Sequence, residues 1–146
     1  MSVVLVDDHL LLRILLDDEP PSLRTADDSI ATTGLWYHRL CRALGDGAVV
    51  GALSRRLGAV DESIAADVLG AVVDLPESIG LVSLRDLGWD MGTLLRRGCR
   101  LNLLGLEALA AARHLEATIL VAEVDDNLAL REAAEMVGVA TRVVAG

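Results

Sequence analysis

Acidic side chains follow two apolar segments that have the character of buried strands. Asp7 and Asp8 come directly after Val3–Val6, and Asp125 and Asp126 come shortly after Thr118–Ala122. The carboxyl ends of parallel strands meet at one edge of a sheet, so these acids are expected to gather there. A carboxylate at the end of a doubly buried strand is costly unless it is paired or coordinated. Asp7 is therefore the first candidate for a functional residue.

Each candidate acid also has a structural interpretation. Asp7 or Asp8 can accept backbone hydrogen bonds at the start of the following helix, and Asp126 is predicted to cap the helix after it. Glu107 can favour the N-terminus of its own helix. His9, beside the first acidic pair, can serve as an outer ligand or proton shuttle, or simply face solvent. These alternatives remain open at the level of sequence.

The elements that must position these acids alternate between strand and helix. Hydrophobic periodicity and Gly/Pro breaks predict an α/β fold with three α/β/α layers and a mostly parallel, roughly five-stranded sheet. Predicted strands cover 3–6, 30–33, 81–84, 118–122 and 141–144, and predicted helices cover 9–16, 35–44, about 48–57, 61–73, 91–97, 104–115 and 128–137. Residues 17–29, with Pro20 and Pro21, form the longest predicted loop. A length of 146 residues predicts one domain, 1–146.

Composition excludes several function classes. The formal net charge of −9 opposes non-specific adhesion to nucleic acid or anionic lipid, and the near absence of aromatic residues argues against a base-stacking surface. Lys is absent, so all 13 basic residues are Arg.

Cys41 and Cys99 have no CxxC partner and are expected to be reduced and buried. With no basic N-terminal region and no long apolar run, we expect a cytoplasmic protein.

The opening sequence VVLVDDHLLLR resembles the start of a response-regulator receiver domain. There, two adjacent acids after the first strand bind Mg²⁺ beside a phosphorylated Asp, for which Asp74 would be the counterpart. The receiver family also needs a Lys at the end of its fifth strand. This chain has none, and a helical pattern precedes Asp74, so the receiver interpretation fails.

A second resemblance extends from Val3 to Val144. The strand VLVD at the start, and the stretch LEALAAARHLEATILVAEVDDNLALREAAEMVGVATRVV near the end, are similar to the PIN domain of metal-dependent ribonucleases and VapC-type toxins. The resemblance implies a Mg²⁺ or Mn²⁺ site formed by Asp7, Glu107 and Asp125, with Asp8 and Asp126 as further candidates. Asp7, Glu107 and Asp125 would be both metal ligands and catalytic residues, whereas Asp8 and Asp126 would be metal ligands only.

The resemblance is incomplete at one acid of the family pattern. A Glu is expected on the helix after the second strand, where this chain has His38 and Arg39 in GLWYHRLCRAL. A cationic side chain there lowers the negative charge that would hold a divalent cation. The sequence therefore indicates either a toxin-type endoribonuclease with a degenerate site, acting on RNA, or a catalytically inactive PIN-like interaction module.

A partner surface is predicted from the stretch LLLRILL, which is apolar on nearly every side. Its candidate residues are Leu11, Leu12, Leu15, Leu16, Trp36 and Tyr37. The expected occupant is another copy of the chain or the hydrophobic tail of an antitoxin-like peptide. The alternative is that the loop 17–29 folds over this surface.

Overall fold

The computed structural model describes residues 2–48 and 51–145. Within them, the strands form one parallel sheet with the order β3-β2-β1-β4-β5. The strands are β1 (Val3–Val6), β2 (Ser29–Thr33), β3 (Ile79–Val82), β4 (Thr118–Ala122) and β5 (Thr141–Val144). Strand β1 pairs with β2 on one side and β4 on the other. The first strand is thus central, which explains its uninterrupted apolar sequence.

Helices cover both faces of this sheet. They are α1 (Asp8–Leu15), α2 (Gly34–Gly45), α3 (Ala52–Gly58), α4 (Glu62–Val73), α5 (Leu84–Arg96), α6 (Leu103–Leu115) and α7 (Leu128–Met136), with a short 3-10 turn at Glu123–Asp125. Leu5 packs in a core with α5, α6 and α7, whereas Val4 and Val6 pack in a second core with α1 and α4. The predicted three-layer α/β/α architecture is confirmed.

Short polar side chains begin several of these helices. Asp7, Thr33, Asn102 and Asn127 each accept a hydrogen bond from a backbone N–H in the first turn of the helix that follows. Asn127, and not Asp126, caps α7, so the predicted cap is wrong by one residue. Asn and Asp are equivalent in this role, and the sequence Asp125-Asp126-Asn127 offers three candidates.

The boundaries around β3 also differ from the prediction. The predicted strand covers 81–84, whereas β3 ends at Val82, and Ser83 caps α5 through a hydrogen bond from the Arg85 N–H. Helix α5 therefore begins seven residues before the predicted start at Met91. Gly88 and Gly92 weaken the helical signal in this stretch, which explains the late prediction.

The predicted partner surface lies largely inside the molecule. Leu11, Leu12 and Trp36 are buried, and Leu15, Leu16 and Tyr37 are half-buried. The physical reason is that the loop 17–28 folds over α1, as the alternative interpretation held. Leu23 of this loop is completely buried in the same core as Leu11 and Leu12. The apolar α1 is therefore covered by the chain itself.

The loop is held in place by the last strand. Arg142 of β5 donates hydrogen bonds to the backbone carbonyl oxygens of Ser22 and Leu23, the latter over 2.8 Å.

Cys41 is half-buried, Cys99 is buried, and both are free thiols. In the described part of the chain, no helix is long and apolar enough to cross a membrane.

Candidate functional site: an acidic cluster bridged by an arginine

Asp7 lies where the central strand β1 ends, and it is completely buried. Its Oδ1 accepts a hydrogen bond from the Leu10 N–H at 2.9 Å, and its Oδ2 accepts one from the Ala122 N–H at 2.8 Å. The carboxyl group thus joins the start of α1 to the end of β4. It is both a helix cap and a member of the acidic edge, so the two interpretations of Asp7 are compatible.

Burial changes the acidity of Asp7. Desolvation disfavours the charged form and raises its pKa to about 7, although the two backbone hydrogen bonds oppose this effect. The neighbouring charges of Asp8 and Asp125 raise the pKa further. Asp7 therefore changes its protonation state close to neutral pH.

Asp8 is also completely buried, but it has a cationic partner. Arg39 of α2 donates from Nε to Asp8 Oδ2 at 2.5 Å and from Nη2 to Asp8 Oδ1 at 2.7 Å. The same Nη2 donates to Asp125 Oδ2 at 2.6 Å. These hydrogen bonds raise the pKa of Arg39 above its usual range, so the guanidinium is permanently charged. Arg39 thus bridges two of the acids at the sheet edge.

Three carboxylates form one group at this edge. Asp7, Asp8 and Asp125 each offer an oxygen such that these atoms all lie within 4.8 Å of one another. The structure therefore brings together two of the three principal predicted residues, Asp7 and Asp125, with Asp8, which was one of the two further candidates. Glu107 is not a member of this group.

Glu107 lies on α6 and is completely buried. Its Oε1 accepts a hydrogen bond from the Leu35 N–H at 2.7 Å, so it caps the first turn of α2 and not its own helix. Its Oε2 has no hydrogen-bond partner among the residues that the structure describes, and it lies 3.5 Å from the position that a Cβ on Gly34 would occupy. Glu107 thus fastens α6 to the start of the helix that carries Arg39.

The remaining predicted residues lie outside the group. Asp126 is paired with Arg131, with Arg131 Nε 2.8 Å from Asp126 Oδ1. The His9 ring nitrogen Nε2 lies 4.0 Å from Asp8 Oδ1, at the limit of an ionic contact. A cavity of about 380 Å³ opens beside the cluster and is lined in part by Trp36, Arg39 and Asp125. Of the cluster, Arg39 and Asp125 line this cavity, whereas Asp7 and Asp8 are completely buried.

The architecture matches a solved structure over nearly its full length. A chain of VapBC-1 from nontypeable Haemophilus influenzae superposes with a TM-score of 0.51, covering 97% of this chain and 98% of that chain at 14% identity. The fold is PIN-like. No protein-family model matches the sequence, and no curated protein matches it. At this identity the similarity concerns the fold, and the side chains at the site must be judged on their own geometry.

PIN-like folds imply a divalent cation at this edge, and the side chains present can be tested for it. Mg²⁺ and Mn²⁺ prefer oxygen ligands carrying negative charge, which the three aspartates supply. The guanidinium of Arg39, however, already donates to both Asp8 and Asp125, and both oxygens of Asp7 accept backbone hydrogen bonds. A divalent metal ion bound here would lie beside the positively charged guanidinium of Arg39 and would be repelled by it. In this arrangement the cluster does not fit a divalent metal ion.

In the sequence, Arg39 stands out only as a departure from the family pattern. Thr33 ends β2 and caps α2, so Arg39 lies in the second turn of α2, and its side chain reaches Asp8 and Asp125 at the sheet edge. A long cationic side chain placed there can reach both acidic loops. The signal was the position of Arg39 relative to the end of β2.

Proposed function

We propose that this chain is a PIN-like, non-catalytic interaction module in which the Arg39 guanidinium takes the place of a divalent cation. The observation that carries the proposal is the single Nη2 atom of Arg39 donating to both Asp8 and Asp125. It compensates the buried charge of Asp8 within the chain itself. The acidic edge then serves as a structural ion pair and needs no metal.

The same proposal includes the organisation and partner of the protein. The chain acts as one PIN-like domain, 1–146, in the cytoplasm. Because the sequence resembles VapC-type toxins and the fold is similar to that of VapBC-1, the partner that we propose is an antitoxin-like protein. A homo-oligomer is the other form that such a module would take.

Calorimetric titration with MnCl₂ tests the proposal. We expect no heat of binding for the native protein, whereas the Arg39→Gln variant, which frees Asp8 and Asp125, should bind Mn²⁺. The matched control is Arg42→Gln, because Arg42 lies on the same helix and is exposed. It removes the same charge without touching the cluster, and should not bind. Micromolar Mn²⁺ binding by the native protein, lost in Asp7→Asn, would refute the non-catalytic proposal.

A second candidate is a Mg²⁺- or Mn²⁺-dependent endoribonuclease of toxin type, with Asp7, Glu107 and Asp125 as its acids. The convergence of Asp7, Asp8 and Asp125 within 4.8 Å favours it. This activity requires the Arg39 side chain to leave the cluster, because it occupies the oxygens that a metal would use. Cleavage of single-stranded RNA by the native protein, abolished both by chelation and by Asp125→Asn, would establish this candidate. If the native protein does not cleave the RNA, the nuclease candidate is excluded and the interaction module stands.

A further inference from the structure

Helix α4 has two apolar faces, although only one of them is needed to pack against the chain. Val68 and Val72 are buried in the same core as α1. On the other side, Ala66, Leu69, Gly70 and Val73 are exposed, and their spacing of i, i+3, i+4 and i+7 aligns them along one line of the helix. We call these four residues the α4 stripe.

The α4 stripe is strongly exposed for an apolar surface. Leu69 is 39% exposed and Val73 is 83% exposed. Isolated exposed apolar residues are normal on protein surfaces, but a continuous helical line of them marks an interaction site. Nothing in the described part of the chain covers this line.

Gly70 lies in the middle of the α4 stripe, although neither close packing nor backbone conformation in the described residues requires a glycine there. A Cβ added there would meet no atom within 4 Å, and Gly70 is not among the glycines with positive φ. A glycine inside a helix costs about 0.5–1 kcal/mol relative to alanine. Its open surroundings create a shallow gap between Leu69 and Val73 into which a side chain of a partner can insert.

Acidic side chains lie beside and beyond the α4 stripe. Asp67 follows Ala66 within α4, and Asp74, the C-cap of the helix in a non-helical conformation, directly follows Val73. Glu62 and Glu77 lie beyond the two ends, and no Arg occurs between 57 and 84. Among the described residues, none of these acids belongs to a salt bridge. The border of the stripe is thus uniformly negative and uncompensated.

We propose that the α4 stripe, with Asp67 and Asp74, is the docking surface for a basic amphipathic helix of a partner protein. Aliphatic side chains of the partner pack on Leu69 and Val73, and its Arg or Lys residues pair with the two aspartates, one within α4 and one at its end. This deepens the proposed function as an interaction module and rests on it. A second copy of the chain fits poorly, because it brings the same acids and a net charge of −9 to the interface.

The probe for this surface is a synthetic Leu/Arg helix with leucines at i, i+3, i+4 and i+7 and arginines seven residues apart. Two-dimensional ¹⁵N NMR of the full chain should show peptide-induced shifts concentrated on residues 62–74. Val73→Gln should weaken binding about tenfold because it removes an apolar contact with the peptide. Gly70→Gln should weaken binding to a similar extent because its side chain fills the gap that the peptide enters. Both positions are exposed, so the fold is retained, which an unchanged spectrum elsewhere verifies.

Two further variants separate apolar packing from charge. Asp67→Asn with Asp74→Asn should weaken binding and reduce its dependence on salt, because the two charge pairs are lost. The matched control is Met136→Gln, which removes an apolar side chain that is 58% exposed on α7. Its affinity for the peptide should equal that of the native protein.

The outcomes distinguish this inference from the proposed function. Peptide shifts centred on Asp125 and Asp126, an affinity unchanged by Val73→Gln, or self-association that Val73→Gln abolishes would each overturn the docking surface. None of these results concerns Mn²⁺. Conversely, Asp7-dependent Mn²⁺ binding by the native protein would refute the proposed function, whatever the peptide does.

Discussion

The raised pKa of Asp7 predicts an unusual dependence of stability on pH. In the unfolded chain this carboxyl group titrates near 3.8, whereas in the folded protein it titrates near 7. Between these values the folded state binds more protons than the unfolded state, so the free energy of unfolding falls as pH rises. The contribution of Asp7 is complete below the unfolded pKa and is lost as pH passes the folded one.

The magnitude follows from the difference between the two pKa values. At about 1.4 kcal/mol per pH unit, the interval from 3.8 to about 7 corresponds to about 4 kcal/mol. Between about pH 5 and 8, about 3 kcal/mol of this should be lost. That is a substantial part of the roughly 5–15 kcal/mol typical of a folded domain.

The Asp7→Asn variant isolates this effect from the other titrating groups. An amide has one oxygen, so either the Leu10 or the Ala122 N–H loses its acceptor, which costs about 1–3 kcal/mol at every pH. Relative to the native protein, the variant should therefore gain about 3 kcal/mol of stability between about pH 5 and 8, and it should be the more stable of the two by about pH 8.

Urea unfolding followed by circular dichroism at several pH values measures this difference. Asp126→Asn serves as the control, because Asp126 is exposed and outside the cluster. A stability difference between Asp7→Asn and the native protein that stays constant to within about 1 kcal/mol from pH 5 to 8 would refute the reasoning, since Asp7 would then be ionised throughout.

Three further predictions concern stability measured by urea unfolding at neutral pH. Glu107→Ala should lower the free energy of unfolding by about 1–3 kcal/mol because the Leu35 N–H loses its acceptor, and Glu107→Gln, which keeps an oxygen there, should lose less than half as much; equal losses would contradict this role. Leu23→Ala should cost about 2–5 kcal/mol, since this loop side chain is completely buried, and a loss below about 1 kcal/mol would mean that the loop does not cover α1. Thr32→Val should cost about 1 kcal/mol, because the buried Thr32 hydroxyl donates to the Val6 carbonyl oxygen over 2.8 Å; no change would show that this hydrogen bond adds nothing.

The order of elements was predictable from sequence because local patterns determine it. Val3–Val6 and Thr118–Ala122 are apolar runs followed by acids, and both were predicted with the observed bounds. The start of α5 was not, because its first seven residues include Gly88 and their apolar positions are partly exposed. Helices with weak propensity depend on tertiary packing, which a local pattern does not contain.

The site was predictable only where strand ends determine it. Asp7 and Asp125 meet because β1 and β4 are neighbouring parallel strands. Glu107 does not join these aspartates, because its position depends on how far α6 extends along the sheet and on which backbone N–H its carboxylate reaches. The bridging by Arg39 depends on side-chain length and rotamer. These are properties of three-dimensional distance, and spacing along the sequence does not specify them.

The hydrogen bonds from Arg142 to Ser22 and Leu23 have a consequence for biosynthesis. They connect residues about 120 positions apart, so the loop over α1 can be fastened only after the last strand has left the ribosome. Until then, the loop over the leucines of α1 lacks these hydrogen bonds, and a growing chain can expose those leucines in a form prone to aggregation. A shortened product lacking β5 would keep that surface exposed and should be a ready substrate for chaperones and proteases.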